Sequence, residues 1–169
     1  MCAIVLLRGA PGVGKSTVAQ HLCESARVGA LVEVDDVRHM FTDVDWGNRQ
    51  QHAAALRAAT LAAMELTRTG NRPCVLIDCF GRDTGPQTVN LLESMGASVA
   101  TVSLWASPEV LQERLRRRDG PGSDAELALA MNEEVRASRV SDVLVDTTHR
   151  TAVEAAATVW AHVEERLCL

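Results

Sequence analysis

The segment Gly9-Ala10-Pro11-Gly12-Val13-Gly14-Lys15-Ser16-Thr17 has the spacing G-x-x-x-x-G-K-[ST]. Glycines at such positions let successive backbone N–H groups turn inward as a concave anion nest, and the helix that follows adds its positive dipole end. A lysine after the last glycine reaches β- and γ-phosphates, and the next hydroxyl is a ligand suited to Mg²⁺. An apolar run, Ala3 to Leu7, leads into the segment and a helical pattern leaves it, which is the context the motif needs. The expectation is a nucleoside triphosphate held by residues 9–17, with Ser16 on the metal.

Three further clusters could complete a phosphoryl-transfer site, which needs a metal shell, a group for the acceptor proton and cations for the transferring oxygens. Asp35-Asp36 follows the apolar run Leu31 to Val34. One of the pair is expected to take the acceptor proton, and Asp35 is favoured because it is read as ending a strand; Asp36 then faces the acceptor. Helix N-capping is the competing role for either aspartate. Asp78 ends Cys74-Val75-Leu76-Ile77 and is expected to share Mg²⁺ with Ser16. Arg114, Arg117 and Arg118 precede the break Asp119-Gly120-Pro121-Gly122. Arg114 and Arg118, at i and i+4, are expected to close over the phosphates as a lid, with Arg136 and Arg139 as weaker members.

The elements that must hold these residues alternate. Strands are predicted at 3–7, 31–34, 74–77, 98–104 and 143–145. Helices are predicted from Lys15 to Arg27 (Val18, Leu22 and Ala26 inward), Val37 to Phe41, Arg49 to Thr69, Pro86 to Met95, and from Pro108 to about Arg118. A further helix follows the capping box Ser123-x-x-Glu126, and the last follows Thr151-x-x-Glu154. The long helix presents Leu56, Ala59, Ala63 and Leu66, and the last one Val153, Ala157, Trp160 and Leu167. Gly70-Asn71-Arg72-Pro73 is a stop signal. This alternation describes a doubly wound α/β domain with a parallel sheet, spanning residues 1–169 as one unit. Ligands of such sheets sit beyond the carboxyl ends of the strands, where each of the polar clusters falls.

Composition narrows the partners. A net charge of -5 argues against broad nucleic-acid or membrane-surface affinity, and the absence of Tyr leaves little stacking surface for single-stranded bases. Five cysteines with no C-x-x-C pair point to a reducing, cytoplasmic setting and not to a disulfide framework. No apolar run approaches membrane-spanning length. His39, His52 and His149 lack the i, i+4 or carboxylate context of a metal site and read as ordinary surface or core histidines. Asp43, Asp45 and Trp46 form an acidic, aromatic loop that would repel a phosphorylated acceptor and suit a neutral or cationic one.

On these residues the chain resembles the small P-loop kinases: nucleoside-monophosphate kinases, adenylylsulfate kinase, chloramphenicol phosphotransferase and the zeta-toxin and polynucleotide-kinase type. The resemblance implies a five-stranded parallel sheet in the order 2-3-1-4-5. Val32-Glu33-Val34-Asp35-Asp36-Val37-Arg38 is similar to an adenylylsulfate-kinase segment, which implies Asp35 as the acceptor-side carboxylate and Arg38 as a substrate-anion ligand. Asp78-Cys79-Phe80-Gly81-Arg82 resembles the D-G-F-P-R segment of adenylate kinases, implying a Mg²⁺-shell Asp78 and a substrate-side Arg82, with Cys79 and Gly81 departing from the pattern. Val145-Asp146-Thr147-Thr148 is similar to their adenine-side loop, placing Thr148 against the nucleotide. The activity implied is transfer of the γ-phosphate of ATP, with GTP as the alternative, to a hydroxyl of a small molecule. An ATPase switch or adaptor, with water as acceptor, is the rival from another class.

Overall fold

The computed structural model describes residues 2–25, 27–70, 72–119, 125–138 and 140–169. Five parallel strands, β1 (Cys2–Arg8), β2 (Ala30–Glu33), β3 (Cys74–Asp78), β4 (Ala97–Trp105) and β5 (Val143–Asp146), form one sheet in the order β2-β3-β1-β4-β5. This is the order the resemblance implied. β1 lies at the centre because it is apolar on both faces. Ala3, Val5 and Leu7 face one layer of helices, and Ile4 and Leu6 face the other.

The first layer contains α1 (Lys15–Glu24), α5 (Pro108–Asp119), α6 (Ala125–Ala137) and α7 (Ala152–Leu167); the second contains α2 (Val34–Arg38), α3 (Arg49–Arg68) and α4 (Thr84–Ser94). Their starts follow from local chemistry. The Asn48 side chain accepts from the Gln50 and Gln51 amides, the Ser107 hydroxyl accepts from Val110 N, and Thr151 with Glu154 forms a reciprocal capping box. Ala55, Ala59 and Ala63 bring α3 close to the sheet, so its N-terminal turn lies beside the end of β3.

Several expectations are corrected. β2 ends at Glu33, and α2 begins at Val34 instead of Val37. Asp35 and Asp36 therefore occupy the first turn of a helix, where its dipole favours them, and neither ends a strand. The cause is Val34, fully buried in the second core, which turns the chain at once. Leu66 is 45% exposed at the edge of the buried stripe of α3. Val153 and Ala157 are exposed just off the stripe of α7, whose inward residues are Ala155, Ala156, Val159, Trp160, Val163 and Leu167. Ala26, Asn71, the Gly120-Pro121-Gly122 break, the Ser123 cap and Arg139 lie outside the described residues.

Candidate active site

The loop between β1 and α1 is built as its glycines require. Gly14 caps α1 in a left-handed conformation, φ 105°. Gly12, also at positive φ (81°), runs so close to α5 that a Cβ there would lie 2.7 Å from Leu115 Cδ2. Ala10 and Val13 are buried beneath the loop. Lys15 Nζ donates to the carbonyls of Gly9 (2.8 Å) and Ala10 (3.1 Å), and the Ser16 hydroxyl donates to Glu33 Oε2 at 3.1 Å. Beyond the loop lies a cavity of about 390 Å³. Pro11, Gly12, Gly14, Lys15, Ser16 and Thr17 of the loop line it, together with Glu33, Asp35, Asp78, Cys79 and Arg118 from elsewhere in the chain.

The parallel register explains this convergence. Arg8 at the tip of β1 pairs with Asp78 at the tip of β3, and β2 ends beside β3 with Glu33 opposite Ile77. Carboxylates carried at neighbouring strand ends therefore face one space. Asp36, in contrast, is exposed and does not line the cavity. Phe80 anchors the loop after β3: its ring is 1% exposed in the second core, and its backbone is held at φ 39°, a conformation costing a side-chain-bearing residue about 1–2 kcal/mol.

His52 is the main correction to the sequence reading. It does have a carboxylate: its Nε2 lies 2.9 Å from Asp78 Oδ2. The hydrogen bond to Asp78 raises the imidazole above its ordinary range, against the opposing effect of burial. Neither residue type nor spacing could have disclosed this pair, 26 positions apart. Glu33, the partner of Ser16, was also missed, because the sequence reading placed it inside the strand that it in fact ends. The Cys79 thiol is pushed up chiefly by burial, with Lys15 opposing.

The arginines separate. Arg118 borders the phosphate cavity. Arg114, one turn earlier, points to the other side of the loop, donating to Val13 O (3.2 Å), Thr147 Oγ1 (3.0 Å) and Thr147 O (2.7 Å). There it borders a second cavity, about 270 Å³, lined also by Thr17, Thr147 and Arg150. Thr148 does not line that cavity; its hydroxyl donates to Asp146 and accepts from Ser107 N. Arg117 pairs with Glu113, and Arg136 lies over the Trp105 ring at 5.0 Å.

Arg38 is 7% exposed, stacks on Trp46 at 4.3 Å and donates to the Asp45 carbonyl at 3.1 Å. It fastens the 42–48 loop to α2, and Trp46 closes over it. Asp45 Oδ1 accepts from Gly47 N inside that loop, so the acidic loop is partly self-satisfied. Arg82 is exposed and lines neither cavity; its amide donates to Glu134 Oε1. Arg8, which the sequence reading passed over, is fully buried below the loop; its Nη1 donates to Ser138 Oγ at 2.7 Å.

The site has a donor set that fits Mg²⁺. Ser16, Glu33, Asp35 and Asp78 offer hard oxygens, and a magnesium ion in a phosphate site takes few protein ligands beside phosphate and water. Among the described residues no cluster of three or more His, Cys, Asp or Glu forms an all-protein metal cage.

A phosphate-binding loop on a 2-3-1-4-5 parallel sheet, with carboxylates at the neighbouring strand ends, defines a P-loop nucleotide-binding protein. More narrowly, the chain belongs to the AAA_33 (AAA domain) family, whose model matches residues 4–139. No curated protein matches it at the sequence level. Among solved structures it is similar to the Deinococcus radiodurans tunicamycin resistance protein (23% identity, TM-score 0.72, 96% of each chain covered). It is likewise similar to the Mycobacterium tuberculosis APS kinase in complex with AMPPNP and APS (21%, 0.73, 96% of this chain and 98% of that one). A gluconokinase from Sinorhizobium meliloti is a third such structure (22%, 0.66, 98% and 95%). Among the described residues no helix is long and apolar enough to cross a membrane.

Proposed function

We propose that the protein is a kinase that transfers the γ-phosphate of ATP to a hydroxyl of a small molecule. The observation that carries this reading is the single cavity shared by Lys15, Ser16, Asp35, Asp78 and Arg118. The loop amides and Lys15 bind the β- and γ-phosphates. Ser16 and Asp78 hold Mg²⁺, which supplies charge neutralisation on the phosphate oxygens. Asp35 lines the same cavity as Lys15 and accepts the proton of the acceptor hydroxyl. Arg118 stabilises the charge on the transferring group, and Arg114 secures the loop from the nucleoside side.

Exchange of Asp35 for asparagine keeps the shape and removes the proton acceptor. General-base catalysis is worth about 10²–10⁴ in rate, so Asp35→Asn should lower acceptor phosphorylation by that factor. ATP affinity, followed with a fluorescent ATP analogue, should stay within about twofold, because the base acts on the transferred proton and not on nucleotide binding. Undiminished transfer in this variant removes Asp35 from the mechanism. ATP turnover indifferent to every hydroxyl compound, with no phosphorylated product in a mass spectrum, favours the ATPase switch instead.

A further inference from the structure

A groove of about 610 Å³ lies between α3 and α4, and apart from His52 the roles assigned above do not use its lining. Arg49, His52, Leu56 and Arg57 line it from α3, and Thr84 and Gln87 from α4. No aspartate or glutamate lines it, although the chain as a whole carries a net charge of -5. Both arginines are exposed at the surface, and among the described residues neither is engaged by a carboxylate. Helices α3 and α4 flank β3 in the chain and both begin at the carboxyl edge of the sheet; α3 has the neutral cap Asn48 and no acidic residue in its first turn, whereas α4 has Asp83 at its N-cap position. The positive dipole end of α3 therefore adds to the field of the arginines.

The groove abuts the phosphate cavity through one hydrogen-bonded pair. His52 lines the groove, and its ring nitrogen is bonded to Asp78, which lines the phosphate cavity together with Asp35. A molecule lying in the groove thus presents one end to the Asp78–His52 pair. Arg57 stands five residues further along α3 and lines the same groove. Leu56 and Ala53 supply the apolar wall between.

We infer that this groove is the acceptor site and that it selects an anionic acceptor, one bearing a carboxylate or phosphate remote from the hydroxyl that is phosphorylated. The inference rests on the kinase reading and reverses the substrate charge that Asp43 and Asp45 suggested. The hydroxyl enters past His52 toward Asp35, and the anion is held by Arg57, with Arg49 at the groove mouth. In the transfer the acceptor oxygen forms the new O–P bond, the bond from the γ-phosphorus to the β,γ-bridging oxygen breaks, the hydroxyl proton passes to Asp35, and ADP leaves.

The test uses hydroxyl compounds in matched pairs: D-gluconate with D-gluconamide for the carboxylate arm, glycerol 3-phosphate with glycerol for the phosphate arm, and D-glucosamine as a cation. Each is scored by thermal shift of the nucleotide-free protein and by phosphorylated product formed with MgATP. The expected result is a response to the anionic member of at least one pair and none to its neutral partner or to the cation. In Arg57→Gln the KM for that anion should rise by about 10–100-fold, the range of a lost charge-assisted hydrogen bond. Its kcat should change less than about threefold, and Arg57→Lys should recover part of the loss. Equal responses to neutral or cationic members, an unchanged KM in Arg57→Gln, or no response to either anion by either readout overturns the inference. An anion-dependent thermal shift lost in Arg57→Gln, with no phosphorylated product, overturns the acceptor role and the kinase reading while leaving the groove an anion site. Product formed from the neutral member alone overturns the anion selectivity and leaves the kinase reading standing.

Discussion

Replacing Arg114 by alanine removes the three hydrogen bonds through which α5 holds Val13 of the phosphate loop against Thr147 after β5. A hydrogen bond from a charged donor contributes about 1.5–3 kcal/mol net, but the three are not additive. The guanidinium is partly exposed, and the Thr147 hydroxyl keeps its bond to the Trp105 carbonyl at 3.0 Å. The expected loss is therefore about 2–3 kcal/mol, and at roughly 2–4 °C per kcal/mol for a chain of this length the Tm falls by about 4–12 °C. ATP affinity should fall with it, by about tenfold, a loss of one hydrogen bond's worth of order at the loop. Arg114→Lys should recover less than half, because an ammonium cannot meet three acceptors with one planar fork. Scanning fluorimetry and titration with a fluorescent ATP analogue read both effects. A wild-type Tm and wild-type ATP affinity, combined with a drop in kcat of about 10³ or more, would refute this reasoning. That pattern belongs to an arginine acting on the transferring phosphoryl group, the role that sequence spacing alone had suggested for it.

Two other outcomes test the loop and the dyad. Gly12→Ala should destabilise by about 2–4 kcal/mol, combining a left-handed backbone with overpacking against Leu115. Gly14→Ala, also at positive φ but with no heavy atom within 4 Å of a new Cβ, should lose only the backbone part, about 1–2 kcal/mol; urea titrations of both variants decide this. Because His52 is raised in the folded state, its contribution to stability is complete below the ordinary imidazole value, about 6.5, and is lost as pH rises through the higher folded value. The stability difference between wild type and His52→Gln should therefore shrink as pH rises above that value; a difference that grows with pH would show that the pair with Asp78 does not favour the protonated ring.

Much of this molecule was legible without coordinates, for one kind of reason. The phosphate loop, the strand runs and the cap at Thr151 are written over at most nine consecutive residues, and local sterics and hydrogen bonding determine them wherever the segment sits. Even so, the start of α2 was misplaced, because burial of Val34, a tertiary event, turned the chain earlier than the polar pair Asp35-Asp36 suggested. The edge of the apolar stripe on α7 moved for the same cause.

The tertiary structure alone decided which side chains meet. Ser16 and Glu33 are 17 positions apart, His52 and Asp78 are 26 apart, and Arg114 and Val13 are 101 apart. Arg114 and Arg118 share a helix face in sequence, yet they border different cavities beside the phosphate loop. Spacing along the chain specifies the direction of a side chain relative to its own helix or strand. What lies in that direction depends on how the sheet orders its strands and how closely small residues such as Ala55, Ala59 and Ala63 let α3 approach β3. Those are properties of the packed whole, with no counterpart in a short window of sequence.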